Sequence, residues 1–267
     1  MILKKIDNII SDLYAYFFSK GILSKVNNKL MDYVLRARGY RNSSNFDESG
    51  EKFFIVKILA PSQPKLCIDI GANVGDYTFK LLQSTNTKVI SFEPLMFPNI
   101  LEKLNEKKKL FSGRVTIENI GIGATDSNLT INYNPKFLGH ASFIKEVNKI
   151  SFVSNEKKTI VPVTSLDSYC VKHNILEIDL IKIDTEGYEK EVFEGAKRVF
   201  SKLKPKFIQI EYNKHQMFRG TTLNYFSEQL PGYEVFQLIP NGWVKINPLD
   251  PYANIYHFSN FVFVRSN

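Results

Sequence analysis

The sequence predicts an α/β protein: a mixed, largely parallel sheet with helices on both faces, preceded by a helical extension. Three observations carry that expectation. Short apolar runs alternate with amphipathic segments between residues 66 and 211, which is the pattern of βαβ units. The first run, Leu66-Cys67-Ile68-Asp69-Ile70, breaks into Gly71-Ala72-Asn73-Val74-Gly75 before helix-compatible sequence resumes at Tyr77, a strand, tight turn and helix start. Four of the runs carry an acid at or near their carboxyl ends, Asp69, Glu93, Asp184 and Glu211, so a parallel sheet would gather four carboxylates at one rim. In such Rossmann-like sheets ligands sit outside the carboxyl ends of the strands.

In chain order, Ile2, Ile6, Ile9, Ile10, Leu13 and Phe17 recur at three- and four-residue spacings and form one face of a helix that Gly21 ends. Leu23, Val26, Leu30 and Val34 mark the face of a second helix. These stripes are expected to pack on the main domain or on a second copy of it. Alternatively they rest on an anionic membrane, because Lys and Arg flank a face rich in Tyr14, Tyr16, Phe17 and Phe18. Residues 41–50 are polar and turn-rich, which separates a helical extension, 1–45, from a main domain, 46–267.

A short helix over 51–59 ends at Pro61 and Pro64, and the first strand follows. Helices are expected at 74–82 and 97–110, and strands at 88–93 and 115–118. After Asn119 the alternation stops, because 129–133 and 160–163 read as strands with no helix between them. The long polar segment 134–159, containing Gly139-His140-Ala141-Ser142, is expected to be structureless and to cover an active site. A helix over 165–173 buries Leu166 and Tyr169; a strand ending at Ile183 delivers Asp184; a helix then runs through Val192 and Val199. The strand 206–211 delivers Glu211, with Asn213 and His215 just beyond, and the last strands are 233–239, 243–246 and 260–264, the final pair antiparallel.

The glycine turn lacks G-x-G-x-x-G, since Asn73 stands where the second glycine would be, which counts against a dinucleotide pyrophosphate. A mononucleoside ligand remains, and D-x-G-x-N-x-G followed by an aromatic resembles S-adenosylmethionine sites. Glu93 closes the second strand 24 positions after Asp69, close to the roughly 20-residue offset at which an acid accepts a ribose diol. Asp184 would lie near the reacting methyl. Asp184, Glu211 and His140 are the candidates for the base that takes a proton from an acceptor hydroxyl or for orienting that acceptor, and Asp184 is equally suited to holding the donor's amino group. Glu186 and Glu189 invite a metal reading with Asp184, but acids in a first helical turn are favoured by the helix dipole alone, and no metal ligand is assigned. His173 and His257 have no partner in sequence and receive no role.

Composition narrows the function classes. The chain of 267 residues carries a net charge of +8, and residues 1–41 hold eight basic side chains against three acids, so the basicity marks an anionic neighbour of the extension and not a nucleic-acid groove. Cys67 and Cys170 lie in apolar settings without metal-type spacing, as packed thiols of a reducing compartment. No apolar run is long enough to span a membrane, and the first ten residues make a poor signal peptide, so a cytoplasmic protein is expected, peripheral to the inner face of a membrane where the extension rests on one.

Four ordered blocks resemble the FkbM-like methyltransferases: Asp69-Ile-Gly-Ala-Asn-Val-Gly-Asp-Tyr77, Phe92-Glu93-Pro94, Ser165-Leu166-Asp167 and Ile181-Lys-Ile-Asp184-Thr-Glu-Gly-Tyr-Glu189, with Gly195 closing the next helix. The resemblance implies a seven-stranded class I methyltransferase sheet with a C-terminal antiparallel hairpin, and O-methylation by S-adenosylmethionine of a hydroxyl on a sugar or glycan. It also implies donor binding by Asp69, Gly71, Asn73, Gly75, Tyr77 and Glu93, with Asn119 near the adenine. The rivals are a nicotinamide-dependent oxidoreductase on the same sheet and a non-catalytic binding protein of this fold.

Overall fold

The computed structural model describes residues 2–41 and 45–266. Helices α1 (Ile2–Phe18) and α2 (Ser24–Ala37) form a hairpin in which the Tyr14 hydroxyl donates to Asn27 Oδ1 (2.8 Å) and Asn27 Nδ2 donates to the Phe18 carbonyl (2.9 Å). The stripe of α1 does not pack on the domain: Ile10, Leu13 and Tyr16 are 60%, 53% and 77% exposed. Only the end of α2 is anchored. Leu35 and Tyr40 are buried, the Tyr40 hydroxyl donates to the Tyr252 carbonyl (2.7 Å), and Ser259 donates to the Gly39 carbonyl (3.0 Å). The expected domain boundary at 45/46 adjoins residues 42–44, which lie outside the described residues.

Next come α3 (Glu51–Phe53), which continues as a π-helical turn over Phe54–Leu59, and then β1 (Leu66–Ile70), α4 (Asp76–Ser84), β2 (Lys88–Phe92), α5 (Pro98–Leu110) and β3 (Val115–Glu118). A second group of strands follows: β4 (Gly121–Gly123), β5 (Ser127–Asn134), β6 (Phe137–Ser142) and β7 (Lys157–Ser165). The chain ends with α6 (Leu166–Lys172), β8 (Leu180–Ile183), α7 (Glu189–Glu194), β9 (Phe207–Tyr212), α8 (Lys214–Arg219), α9 (Leu223–Glu228), β10 (Tyr233–Ile239), β11 (Gly242–Lys245) and β12 (Ser259–Arg265).

The main sheet has the order β11-β10-β12-β9-β8-β1-β2-β3. Strands β3, β2, β1, β8 and β9 are parallel, while β12 runs antiparallel to both β9 and β10. This is the class I methyltransferase arrangement with one strand more than the seven expected. The extra strand is β11, which hairpins back onto β10 and takes the edge. The last two strands therefore do not pair with each other; β12 enters between β10 and β9, because β11 already occupies the outer side of β10. The helix expected to run through Val192 and Val199 is broken at Gly195, where β4 packs so closely that a Cβ would stand 2.0 Å from the Gly123 carbonyl, and helical backbone resumes as a π-helical turn over Val199–Leu203.

Side chains alternate across the sheet. Ile68, Ile70, Ile181, Ile183, Ile208 and Ile210 face a core that includes Val192, Phe193 and Phe226 of α7 and α9. Cys67, Leu180 and Phe207 face Tyr77 and Leu81 of α4 and Phe54 of the π turn. Above this second core lies a polar row in register across four strands, Ser91, Asp69, Lys182 and Gln209. Residues 134–159 are not structureless. They contain β6, paired with β5, and a 3-10 turn whose Val147 joins Ile144, Ile150 and Val153 in a small core of their own. The sequence of β6 shows no alternation because Gly139 and His140 interrupt it, the apolar Phe137 is exposed and the polar Ser142 is buried.

Candidate active site

Three residues of the β1–α4 turn adopt left-handed backbone, Gly71 (φ 85), Asn73 (φ 48) and Gly75 (φ 77). Asn is the non-glycine residue best suited to that region, which explains how it replaces a glycine here. A Cβ at Gly71 would stand 1.8 Å from the Asp184 carbonyl oxygen, so only glycine lets the turn lie against the end of β8. The Gly71 and Ala72 N–H groups both donate to the Phe92 carbonyl (3.0 Å each), which holds the turn against the end of β2.

Glu93 is the keystone of this corner. Its Oε2 accepts from the Asn73 N–H and its Oε1 from the Leu95 N–H, both at 2.8 Å, leaving lone pairs on each oxygen. Burial pushes its pKa up to about 7, against the lowering effect of those two N–H groups. Ile70, Gly71, Asn73, Phe92, Glu93 and Pro94 line a cleft that Ile122, Ile131, Leu138, Gly139, Ala141 and Phe143 of the second sheet close from above. Asp184, Thr185 and Glu186 form its inner end.

The other residues predicted for this ligand lie behind or beside the cleft. Asp69 is fully buried, its Oδ2 accepts from the Thr78 hydroxyl (2.7 Å), and its Oδ1 has no hydrogen-bond partner. The Tyr77 hydroxyl donates to Gln209 Oε1 (2.5 Å), with the Lys182 ammonium 4.9 Å from the centre of its ring. Asn119 does not line the cleft; its Nδ2 donates to the carbonyls of Glu93 (3.1 Å) and Pro94 (3.0 Å) and braces the turn that carries Glu93. Of the four acids expected at the rim, Glu93, Asp184 and Glu211 are there, whereas Asp69 turns into the polar row. Burial works against the charge of Lys182, but Asp184, Asp69 and Glu51 outweigh it and raise its pKa, and its Nζ pairs with Asp184 Oδ2 at 2.8 Å.

A second cleft adjoins the first, lined by Arg41, His140, Ile150, Phe152, Glu186, Glu211, Asn213, Lys214, His215 and His257. Glu186 lines both clefts. It is held in the left-handed region (φ 53), and its carbonyl accepts from the Ser142 hydroxyl (2.7 Å), which ties the β6 hairpin to the end of β8. A non-glycine residue in that conformation stores strain of order 1–3 kcal/mol, a feature that clusters at functional sites. Glu189 is spent on structure: its Oε1 accepts from the Thr185 and Gly187 N–H groups and the Thr185 hydroxyl, and its Oε2 from Gln216.

Burial raises the pKa of Glu186, which the charge of Asp184 pushes further up and His140 pulls down. Burial, with the charges of Asp184 and Glu186, also raises that of Glu211, whose Oε1 accepts from Asn213 Nδ2. Burial holds His215 neutral, with its pKa down to about 4. His140 sits on β6 with its ring between Phe137 and Phe152 (centroids 4.7 and 5.4 Å away), and its Nδ1 lies 3.9 Å from Glu186 Oε1 without a hydrogen-bond partner.

The sequence reading gave no role to His215 and saw Glu186 only as a rejected metal ligand. The signal for His215 was present. Asn213-Lys-His-Gln216 forms a capping box that starts α8 and sets His215 in its first turn, facing Glu186. His257 lines the outer part of the second cleft, while His173 stacks on Tyr169 (4.2 Å), away from both clefts.

Comparison with known proteins gives the same address. A 2-O-methyltransferase, NoeI, of Sinorhizobium fredii is 24% identical over 85% of this chain and 93% of its own length. A hexuronic acid methyltransferase, AglP, of Haloferax volcanii is 27% identical over 48% of each chain. Among solved structures, an O-methyltransferase from Bacillus cereus in complex with SAH matches with a TM-score of 0.43 at 9% identity, covering 96% of this chain and 97% of its own. The model of the methyltransferase FkbM domain matches residues 69–235, from the buried acid of β1 through β9 and into β10, a span that takes in the lining of the first cleft and leaves Arg41 and His257 of the second outside it. This chain is therefore a methyltransferase and belongs to the FkbM family.

Proposed function

We propose that this enzyme transfers the methyl group of S-adenosylmethionine to a hydroxyl of an anionic sugar or sugar-containing acceptor. The observation that carries the proposal is the pair of adjoining clefts sharing Glu186, one ending at Glu93 and the other at Glu211 and His140. The first cleft suits a nucleoside: apolar walls from Ile70, Phe92 and Ile122 for a base, and a carboxylate with a free lone pair on each oxygen for a ribose diol.

S-adenosylmethionine supplies an electrophilic methyl group on a positively charged sulfur. The acceptor oxygen forms the new O–CH3 bond as the S–CH3 bond breaks, leaving a neutral thioether, and the hydroxyl proton passes to the protein. Asp184, Glu186 and Glu211 hold the acceptor at the junction. Alignment of this kind accounts for up to about 7–11 kcal/mol of barrier lowering in favourable cases. His140, fixed between two phenylalanines with an unpartnered Nδ1, takes the proton. A positioned base contributes typically about 10² to 10⁴ in rate. Arg41 and Lys214 line the second cleft, where they would meet an acceptor's carboxylate or phosphate. The name of NoeI, a 2-O-methyltransferase, supports transfer to oxygen, and that of AglP, a hexuronic acid methyltransferase, supports an acidic sugar acceptor.

The test is incubation with methyl-labelled S-adenosylmethionine and a panel of neutral, uronic and phosphorylated sugars, read as label incorporation, with calorimetric titration of S-adenosylhomocysteine in parallel. Labelled anionic sugar and tight S-adenosylhomocysteine binding are expected. Binding of a nicotinamide nucleotide with no response to S-adenosylhomocysteine would overturn the reading.

The extension is the second proposal of this kind: α1 docks on an anionic membrane surface. Its apolar face is exposed, as are Lys5, Lys20, Lys25 and Lys29 around it, a charge pattern complementary to acidic lipid and unsuited to a second copy of the same basic helices. Sedimentation with phosphatidylserine vesicles should carry the protein down and lose it on Leu13→Glu. A concentration-dependent dimer without vesicle binding would reject the membrane in favour of self-association.

A further inference from the structure

We propose that Asp184, Glu186 and Glu211 form a divalent-cation site that presents the acceptor's oxygens to the methyl donor, an inference that rests on the acceptor cleft assigned above. One oxygen of each carboxylate lies within 4.8 Å of the others. Opposite ligands of an octahedral cation with metal–oxygen distances of about 2.1 Å stand ~4.2 Å apart, so small side-chain rotations suffice to close the site. The three acids come from the end of β8, the left-handed bend after it and the last turns of β9, so the fold itself brings them together.

Their charge is left uncompensated. Among the described residues, the ammonium paired with this cluster is that of Lys182, which reaches Asp184 and also answers to Asp69 and Glu51. His215 supplies an independent observation. It is 5% exposed, and its Nδ1 points at Glu186 Oε2 from 3.2 Å yet lacks a properly directed hydrogen bond. A buried nitrogen without a hydrogen-bond partner, facing Glu186 of this cluster, is explained by a cation that takes it as a further ligand or holds a water against it. Glu189, the other acid of this loop, is fully engaged by N–H groups and takes no part.

Hard carboxylate oxygens select Mg²⁺, Mn²⁺ or Ca²⁺, and a neighbouring imidazole is compatible with Mn²⁺. Because Glu186 lines both clefts, a cation held there would contact acceptor oxygens beside the transferred methyl. It would orient them and polarise the reacting hydroxyl.

Titration of Mn²⁺ into the full chain, followed by electron paramagnetic resonance, tests this directly. One saturable site with Kd below about 1 mM is expected, weakened at least about tenfold in Glu186→Gln and in Glu211→Gln. Glu211→Gln, a change confined to the second cleft, should bind S-adenosylhomocysteine within about threefold of the parent, and a circular dichroism spectrum matching the parent shows that Glu186→Gln folds. Absence of saturable binding, or binding that neither substitution weakens, overturns the site. If S-adenosylhomocysteine binds and methyl transfer survives chelation by EDTA, the cation site alone falls and the methyltransfer reading stands. If S-adenosylhomocysteine fails to bind while Mn²⁺ does, the donor assignment falls instead.

Discussion

Glu93→Gln separates what the glutamate does for the fold from what it does for the ligand. Its carboxyl has a pKa near 7 in the folded protein against an ordinary 4.5, so between those values the native state holds a proton that the unfolded chain has lost. Stability therefore falls as pH rises through this window, by about 1.4 kcal/mol per unit and about 3 kcal/mol in all. Glutamine removes that loss. It also leaves one of the two N–H donors, of Asn73 or Leu95, facing an amide NH₂ in place of an oxygen, at a cost of about 1–3 kcal/mol. Near pH 5 the variant should be the less stable protein, and by pH 8 the difference should have moved in its favour by about 3 kcal/mol. The other buried acids titrate in both proteins and cancel in the difference. Urea unfolding at the two pH values measures it, and calorimetry on the same samples should show S-adenosylhomocysteine binding weakened by roughly 10- to 100-fold at pH 8, the loss of charge-assisted hydrogen bonds to a diol. Parallel stability curves for the two proteins, or unchanged affinity in the variant, would refute the reasoning.

The wild-type enzyme should bind S-adenosylhomocysteine about tenfold more weakly at pH 6 than at pH 8, because Glu93 must release its proton to accept both ribose hydroxyls; calorimetry in two buffers of different ionisation enthalpy would also detect that proton. Lys182→Met should lower stability by about 3–5 kcal/mol, measured by denaturant unfolding, since it strands Asp184, Asp69 and Glu51 without their buried cation. Gly71→Ala should abolish S-adenosylhomocysteine binding and lower Tm together, as the new methyl would overlap the Asp184 carbonyl oxygen at 1.8 Å. His140→Gln should reduce turnover by about 10² to 10⁴ with donor affinity unchanged, measured by single-turnover methyl transfer and by calorimetry.

The parts of this molecule that were legible in its sequence are those whose patterns are local. Apolar runs of four to six residues, a glycine turn and acids at strand ends locate β1, β2, β8 and β9, and with them Gly71, Glu93 and Asp184. Glu211 is legible for the same reason. The rest depends on which side of a strand or helix a residue faces after packing. Asp69 looks like its rim neighbours, but it lies one residue before the end of β1 and so turns toward Thr78 and the polar row. Asn119 sits at a strand exit, yet its amide is consumed by the Glu93–Pro94 backbone. In the second sheet β5 and β7 were legible as the strands at 129–133 and 160–163, whereas β4 and β6 were not, because β4 is three residues of Gly-Ile-Gly and β6 carries Gly139 and His140, neither of which has a strand signature alone. What makes them strands is the closeness with which they pack on the cleft and on Gly195.

The polar row explains how such a site survives in a protein interior. A carboxylate buried without a partner would take up a proton or push its strand apart, and here Asp69, Asp184, Glu51, Glu186 and Glu211 all crowd one end of the sheet. Lys182 answers Asp184, Asp69 and Glu51, and Gln209 links Tyr77, Glu51 and Asn260, so the charge of the acids beneath the clefts is partly offset from below. Among the described residues, Glu186 and Glu211 have no ammonium paired with them. That asymmetry places the remaining unbalanced charge at the junction of the two clefts, where an acceptor's hydroxyl proton and a hard cation would each relieve it. The strain in Glu186 and the unpartnered Nδ1 atoms of His140 and His215 fall at the same point, so the least comfortable place in the fold is the one that a bound reactant would complete.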